Sequence, residues 1–166
     1  MITNAETPIT SSITSSVIRG NNAFDNGLTG IYIQGIAGNG SISGNIDNNT
    51  AINNGSSGIR VRTLDSTTAT VSLSGNTTTQ NTDHGVFFDD DSTGAITADL
   101  GGGGLNSTGN NIIHNNNLTD IRVDLDGAEL KAEGNWWGID TGLSVGEVLL
   151  EDGSTIDADP ELTSAP

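Results

Sequence analysis

The chain has 166 residues, with 5 Lys+Arg against 21 Asp+Glu, 23 Gly, 3 Pro, 4% aromatic residues and no Cys. That length suits one domain, and a net charge of -16 opposes phosphate backbones and anionic lipid, so neither nucleic-acid binding nor membrane insertion is expected. Disulfides and thiolate metal sites are excluded, no apolar run approaches the roughly 18 residues of a membrane span, and MITNAETPIT carries no signal-peptide pattern.

The first unit is Asn26 to Ile33 (NGLTGIYI); Asn54 to Val61 (NGSSGIRV) and Asn81 to Phe88 (NTDHGVFF) align with it without gaps. Asn116 to Val123 (NNLTDIRV) is a fourth, with Asp120 in the glycine place. Ile31, Ile59, Val86 and Ile121 follow one another at intervals of 28, 27 and 35 residues, and the long interval contains the extra stretch Asp99 to Asn106. Upstream marks are the Gly-Asn pairs at Gly20, Gly44, Gly75, Gly109 and Gly134, which make five related coils.

Within each unit the apolar residues alternate, as in Ile31/Ile33, Ile59/Val61, Val86/Phe88 and Ile121/Val123, the period of a strand with one buried face. Each coil reads as three short strands, for example Thr70 to Ser74, Thr77 to Gln80 and Gly85 to Asp89, with Asn, Gly, Asp and Thr at the corners. Near-identical units pair with their neighbours in parallel. The expected fold is therefore all-β, a parallel β-helix of about five three-strand coils, in one domain spanning 1–166 with coils at about 14–138 and a capping tail at 139–166.

Recurrent asparagines are expected to stack at two corners, Asn26/Asn54/Asn81/Asn116 and Asn21/Asn45/Asn76/Asn135, with side-chain amides bonded up and down the stack. The same ladder explains the Asn-x-Ser/Thr triplets at Asn39, Asn54, Asn76, Asn106 and Asn117 without glycan attachment. In coil four the register of Ile112, Ile113 and His114 stands open between two phases one residue apart.

DLGGGG (99–104), GNNIIHNNN (109–117), GNWWG (134–138) and IDADPELTSAP (156–166), together with the repeat, resemble the right-handed parallel β-helix proteins of the pectate-lyase-like superfamily. The resemblance implies export to the outside or surface of a bacterial or archaeal cell, as part of a longer polypeptide. It places Trp136 and Trp137 where the core closes, with the tail from Val145 to Leu150 and Ile156 folding over the open end. The opposite end lacks such a cap, so end-to-end stacking there is a possible contact. The resemblance does not fix an activity, because the superfamily holds lyases, hydrolases and adhesins.

Alternation puts Tyr32, Arg60, Phe87 and Arg122 in one outward row and Gln34, Arg62, Asp89 and Asp124 in the next. Three of the five cations then share one sheet. Rings and forked guanidinium donors suit an acidic or neutral glycan, and the same rows can stabilise themselves as a cross-strand ladder. Arg62 and Asp89 are the candidate catalytic pair, since proton abstraction beside a uronate carboxyl needs a base and a cation. Asn81 to Gly85 (NTDHG) resembles a polygalacturonase motif interrupted by His84, with too short a spacing to Asp89-Asp90 for that family's paired carboxylates. Asp89, Asp90 and Asp91 offer hard oxygens to Ca²⁺, as does the tail set Asp152/Asp157/Asp159/Glu161. His84 and His114 read as turn residues, not zinc ligands.

The leading expectation is a non-catalytic secreted or surface module, a rigid spacer or a platform for a polysaccharide or cell-surface glycan, needing no cofactor. A lyase or hydrolase on the Arg/Asp face and a Ca²⁺-stiffened adhesin segment are the alternatives.

Overall fold

The computed structural model describes residues 2–3, 12–36, 40–90, 93–138 and 147–166; Asn39, Asp91 and Val145 lie outside them. After β1 (Ile2–Thr3), one order of strands recurs. Coil one holds β2 (Ser12–Arg19), β3 (Asn22–Phe24) and β4 (Ile31–Gly35), and coil two holds β5 (Ser41–Asp47), β6 (Thr50–Ile52) and β7 (Ile59–Thr63). Coil three has β8 (Thr68–Ser74), β9 (Thr77–Thr79) and β10 (His84–Asp90), and coil four has β11 (Ala95–Asp99), β12 (Ile112–His114) and β13 (Thr119–Asp124). Coil five has β14 (Glu129–Lys131), a single bridge from Trp136 to Ile112, and β15 (Val148–Glu151). β16 (Thr155–Asp157) then pairs onward from β14.

Equivalent strands pair in parallel between coils and form three sheets: β1-β4-β7-β10-β13-β15, β2-β5-β8-β11-β14-β16 and β3-β6-β9-β12. Among the described residues there is no helix. The protein is a parallel β-solenoid, as the alternation and the repeat interval require.

Its core is the inward half of each strand. Ile59, Val61, Val86, Phe88, Ile121 and Val123 from the first sheet meet Ile46, Val71, Leu73 and Leu130 from the second. Ala51, Thr78 and Ile113 are the inward positions of the third sheet, all fully buried. That settles coil four: Ile113 points in, while Ile112 and His114 stand on the outer surface. Trp137 is 1% exposed and part of the core. Trp136 is half-buried on the outside, its ring edge-on to His114 at 4.6 Å between centroids.

The tail departs from the expected lid. Val148, Leu149, Leu150 and Glu151 pair in register with Ile121, Arg122, Val123 and Asp124, and Ile156 pairs with Leu130, so the tail lengthens the stack. Leu162 N–H donates to Asn135 O at 2.9 Å, as Trp136 N–H donates to Asn111 O in the preceding coil. Parallel pairing satisfies these backbone groups, whereas a segment crossing the end would leave them open.

Two asparagine ladders exist, and one differs in membership from the sequence reading. The first runs Asn26, Asn54, Asn81, Asn116. The second runs Asn21, Asn49, Asn76, Asn111, Asn135; Asn45 is not in it. Gly44-Asn45 lies inside β5. The ladder residue follows a left-handed position, and that position accepts Asn as well as Gly: Gly20, Asn48, Gly75, Asn110 and Gly134 have φ of 66°, 52°, 64°, 58° and 66°. Reading only Gly-Asn therefore missed Asn48-Asn49 and Asn110-Asn111. Asn54 and Asn76, each 1% exposed, hold their amides inside the ladders, out of reach of any modifying enzyme.

Close stacking also explains the unit glycine. A Cβ on Gly58 would lie 2.7 Å from Asn81 Nδ2 and 2.8 Å from Gly85 O, so only hydrogen leaves room for the next rung. Asp120 occupies the corresponding place in coil four, and its own carboxylate ends the ladder: Oδ1 accepts from Asn116 N at 3.1 Å and Nδ2 at 2.9 Å. Oδ2 is buried without a hydrogen-bond partner among the described residues, and burial pushes the carboxyl pKa up to about 6.

A raised carboxyl pKa means that the folded state holds the proton more tightly. Its stabilisation is complete below the unfolded pKa near 3.8 and is lost as pH rises through about 6. His84 and His114 act in the opposite sense, because burial lowers both from 6.5 and stability falls as the unfolded imidazoles take protons first. A difference measurement isolates the carboxyl. Asp120→Asn is expected to be more stable than wild type at pH 7.5 by about 2 kcal/mol and to lose that advantage by about pH 4. Urea unfolding at several pH values checks it, and a pH-independent difference would show that Asp120 does not titrate in this range.

Candidate functional site

Register places the two outward rows as the alternation requires. Tyr32, Arg60, Phe87, Arg122 and Leu149 are directly successive across β4, β7, β10, β13 and β15, and so are Gln34, Arg62, Asp89, Asp124 and Glu151. Strand separation of about 4.8 Å brings each side chain against its neighbour in the next coil.

In the first row the contacts are rings on guanidinium groups. Arg60 Cζ lies 5.6 Å from the Tyr32 ring centroid and 4.5 Å from that of Phe87, and Arg122 Cζ lies 4.3 Å from Phe87. Phe87, 5% exposed, is covered by two cations, so the ring face expected to stack on a sugar is already occupied.

The second row supplies the carboxylates. Asp89 Oδ2 is paired with Arg60 Nη2 and lies 3.1 Å from Arg62 Nε, the latter an ion pair without hydrogen-bond alignment. Arg122 reaches Asp124 at 3.3 Å and Glu151 at 2.6 Å. Burial and then the Glu151 charge raise the Asp124 pKa above its usual range. The cross-strand ladder is thus present, and Asp89 is shared by both arginines of coil two.

Beside these rows opens a cleft of about 340 Å³. Arg60, Arg62, Phe87, Asp89, Arg122 and Asp124 form its floor; Tyr32 and Gln34 are not among its lining residues. Its other wall is Ser56, Ser57 and Asp83, from the corner before the first sheet, with His84, the first residue of β10. Ser56 Oγ donates to Asp83 Oδ2 at 2.8 Å, and His84 Nδ1 lies 2.7 Å from Thr119 Oγ1 with its ring edge-on to Phe87 at 5.2 Å. Burial first, then Arg122, pushes the His84 pKa below 6.5. The sequence signal for this wall was the variable third place of the unit, filled by Leu28, Ser56, Asp83 and Leu118. Only coils two and three put polar groups there.

Of the acidic triplet, Asp89 and Asp90 do not share one side. Asp89 faces outward to the arginines, whereas Asp90 accepts from the backbone N–H groups of Asp126 and Ile96, and burial pushes its pKa up to about 6. Among the described residues no three His, Asp or Glu side chains are arranged to hold a metal ion. In the tail set, Asp157 is paired with Lys131 at 2.8 Å.

A parallel β-solenoid with a polar cleft on its outer first sheet is the class of protein that this fold and face define. The chain belongs to the family described as "Protein of unknown function (DUF1565)", whose family model matches residues 2–141. No curated protein and no solved structure matches it.

Proposed function

We propose that this chain is an exported β-helix module, of the pectate-lyase-like kind, acting as a rigid non-catalytic platform that holds a carbohydrate in the cleft between the Arg/Asp rows and the Ser56–His84 wall. The observation that carries the reading is the state of Asp89. A general base must stand uncommitted and within reach of its substrate, yet Asp89 is 8% exposed and its Oδ2 is held by both Arg60 and Arg62. What the cleft offers is a fixed set of hydrogen-bonding groups: guanidinium edges, carboxylates, serine hydroxyls and an imidazole. Such groups recognise vicinal hydroxyls by geometry, and the volume lies within the range of small-ligand sites. Export and the platform role are supported by the resemblance in the closing motifs and by a scaffold tied coil to coil by side-chain ladders.

The test pairs binding with product formation on a panel of pectic, alginate and neutral polysaccharides, with Ca²⁺ or chelator, for wild type and Arg122→Ala. Expected are saturable binding, at least about tenfold weaker in the variant, and no new unsaturated or reducing ends. Product formation abolished by Arg62→Ala would replace the platform with a lyase or hydrolase. Melting that depends on chelator would favour the Ca²⁺-stiffened segment.

A further inference from the structure

Whether the cleft prefers an acidic or a neutral sugar depends on the charge left after its own ion pairs have formed. Three guanidinium groups face it, those of Arg60, Arg62 and Arg122. Against them stand Asp83, Asp89 and Asp124 in the lining and Glu151 on the far side of Arg122. Asp89, a single negative charge, is shared by the first two arginines and leaves them one positive charge in excess, whereas Asp124 with Glu151 outweighs the third by one. Asp83 is a further carboxylate, which accepts from the neutral Ser56 hydroxyl and tips the sum to one negative charge. The imidazole of His84 adds no charge at neutral pH, being held below its ordinary pKa by burial. Around this lies a chain of net charge -16, whose field reaches the cleft unless salt screens it.

We infer that the cleft is selective for a neutral, hydroxyl-rich glycan and rejects uronates, the discrimination being electrostatic and set by the carboxylates that outnumber its arginines. This rests on the carbohydrate reading of the same cleft and deepens it. On Arg60 and Arg122 a uronate carboxylate would have to exchange with an internal carboxylate that is held in register by the strand beneath it, and at Arg62 it would stand against the Asp89 charge. A sugar hydroxyl needs no such exchange: it can donate to a carboxylate lone pair and accept from an N–H while the ion pairs stay intact. Half-buried carboxylates keep much of their repulsion at low ionic strength and lose it as salt rises.

Binding would be measured calorimetrically with neutral hexasaccharides from cellulose, mannan and galactan, and with oligogalacturonate and oligoalginate of the same length, at about 20 and 500 mM NaCl. Expected is binding of at least one neutral hexasaccharide with little salt dependence, and uronate affinity at least about tenfold weaker at low salt with the gap closing at high salt. Asp83→Asn, on the half-buried wall, is expected to narrow the low-salt gap severalfold, and Glu151→Gln provides the same test if the first variant melts early. Uronates bound as tightly as neutral sugars, with affinity falling as salt rises, would overturn this inference and leave the carbohydrate platform intact. A preference that salt does not alter would overturn its electrostatic basis. No binding of either class would overturn the platform itself and the inference with it.

Discussion

Asn81→Ala is expected to lower the unfolding free energy by about 4 kcal/mol, a large share of what a domain of this size possesses. Asn81 is fully buried at the third rung of its ladder. Its Nδ2 donates to Asn116 Oδ1 at 2.9 Å and to Ala51 O at 3.1 Å, and its Oδ1 accepts from Asn54 N at 3.1 Å and Nδ2 at 2.9 Å. Truncation takes a partner from Asn54 N, Asn54 Nδ2, Ala51 O and Asn116 Oδ1. Asn54 Nδ2 keeps Ala23 O and Asn116 Oδ1 keeps the residue 81 amide, so the loss, at about 1 to 3 kcal/mol per orphaned group, falls mainly on Asn54 N and Ala51 O, with at most a water in the vacated space to recover part of it. Asn26→Ala is the control. Asn26 is exposed at the top of the same ladder and, among the described residues, donates its side chain only to Asn54, so its loss should stay below about 1 kcal/mol. Urea unfolding followed by circular dichroism measures both. Equal losses for the two variants would show that the interior rungs carry no more than the edge.

Why the fold was legible and the cleft only partly so follows from what each depends on. The solenoid rests on local features that every coil repeats: alternation at Ile59/Val61, a small residue at Gly58, an asparagine at Asn54. Register then follows, because a slip of one residue would turn the apolar side out, and so the rows through Arg60 and Arg62 could be written down from spacing. The second ladder was misassigned where the left-handed position changed residue type, since Asn48 and Asn110 serve there as Gly20 does. The wall of the cleft depends on Asp83, at a variable corner position, and His84, at the variable first place of β10, neither of which carries a periodic signal. The fate of Phe87 was hidden for another reason. Spacing shows that Arg60, Phe87 and Arg122 are neighbours, but whether the ring faces a ligand or two cations is decided by side-chain conformation, and here the cations cover it.

The glycine-rich insertion yields the second large effect. Asp99 stands on the outer side of β11, paired in register with Ser72 and Lys131, yet it is 1% exposed because the following loop folds back over it. Its Oδ1 accepts from Gly101 N at 2.8 Å and Gly103 N at 3.2 Å, and Oδ2 from Leu105 N at 2.9 Å and Ser107 N at 3.3 Å. Glycine is required where the loop meets coil five, since Gly101 has φ of 147° and a Cβ there would lie 2.0 Å from Glu133 O. Held in this way, the loop joins coils on both sides of its own: Glu133 N donates to Gly101 O at 3.1 Å, and Ser107 Oγ donates to Leu73 O at 2.5 Å. Asp99→Ala removes the one acceptor group that these four amides share and is expected to cost about 3 to 5 kcal/mol. Asp99→Asn keeps one oxygen but turns an NH₂ toward two N–H donors, and should cost somewhat less. The structure also dictates where the loss appears. Amide exchange at Gly101, Gly103, Leu105 and Ser107 should accelerate in Asp99→Ala well before global unfolding, while the Asn81 rung keeps its protection. If those four amides stayed protected in the variant, the loop would be held by its contacts with coils three and five, and Asp99 would be a passenger of the insertion.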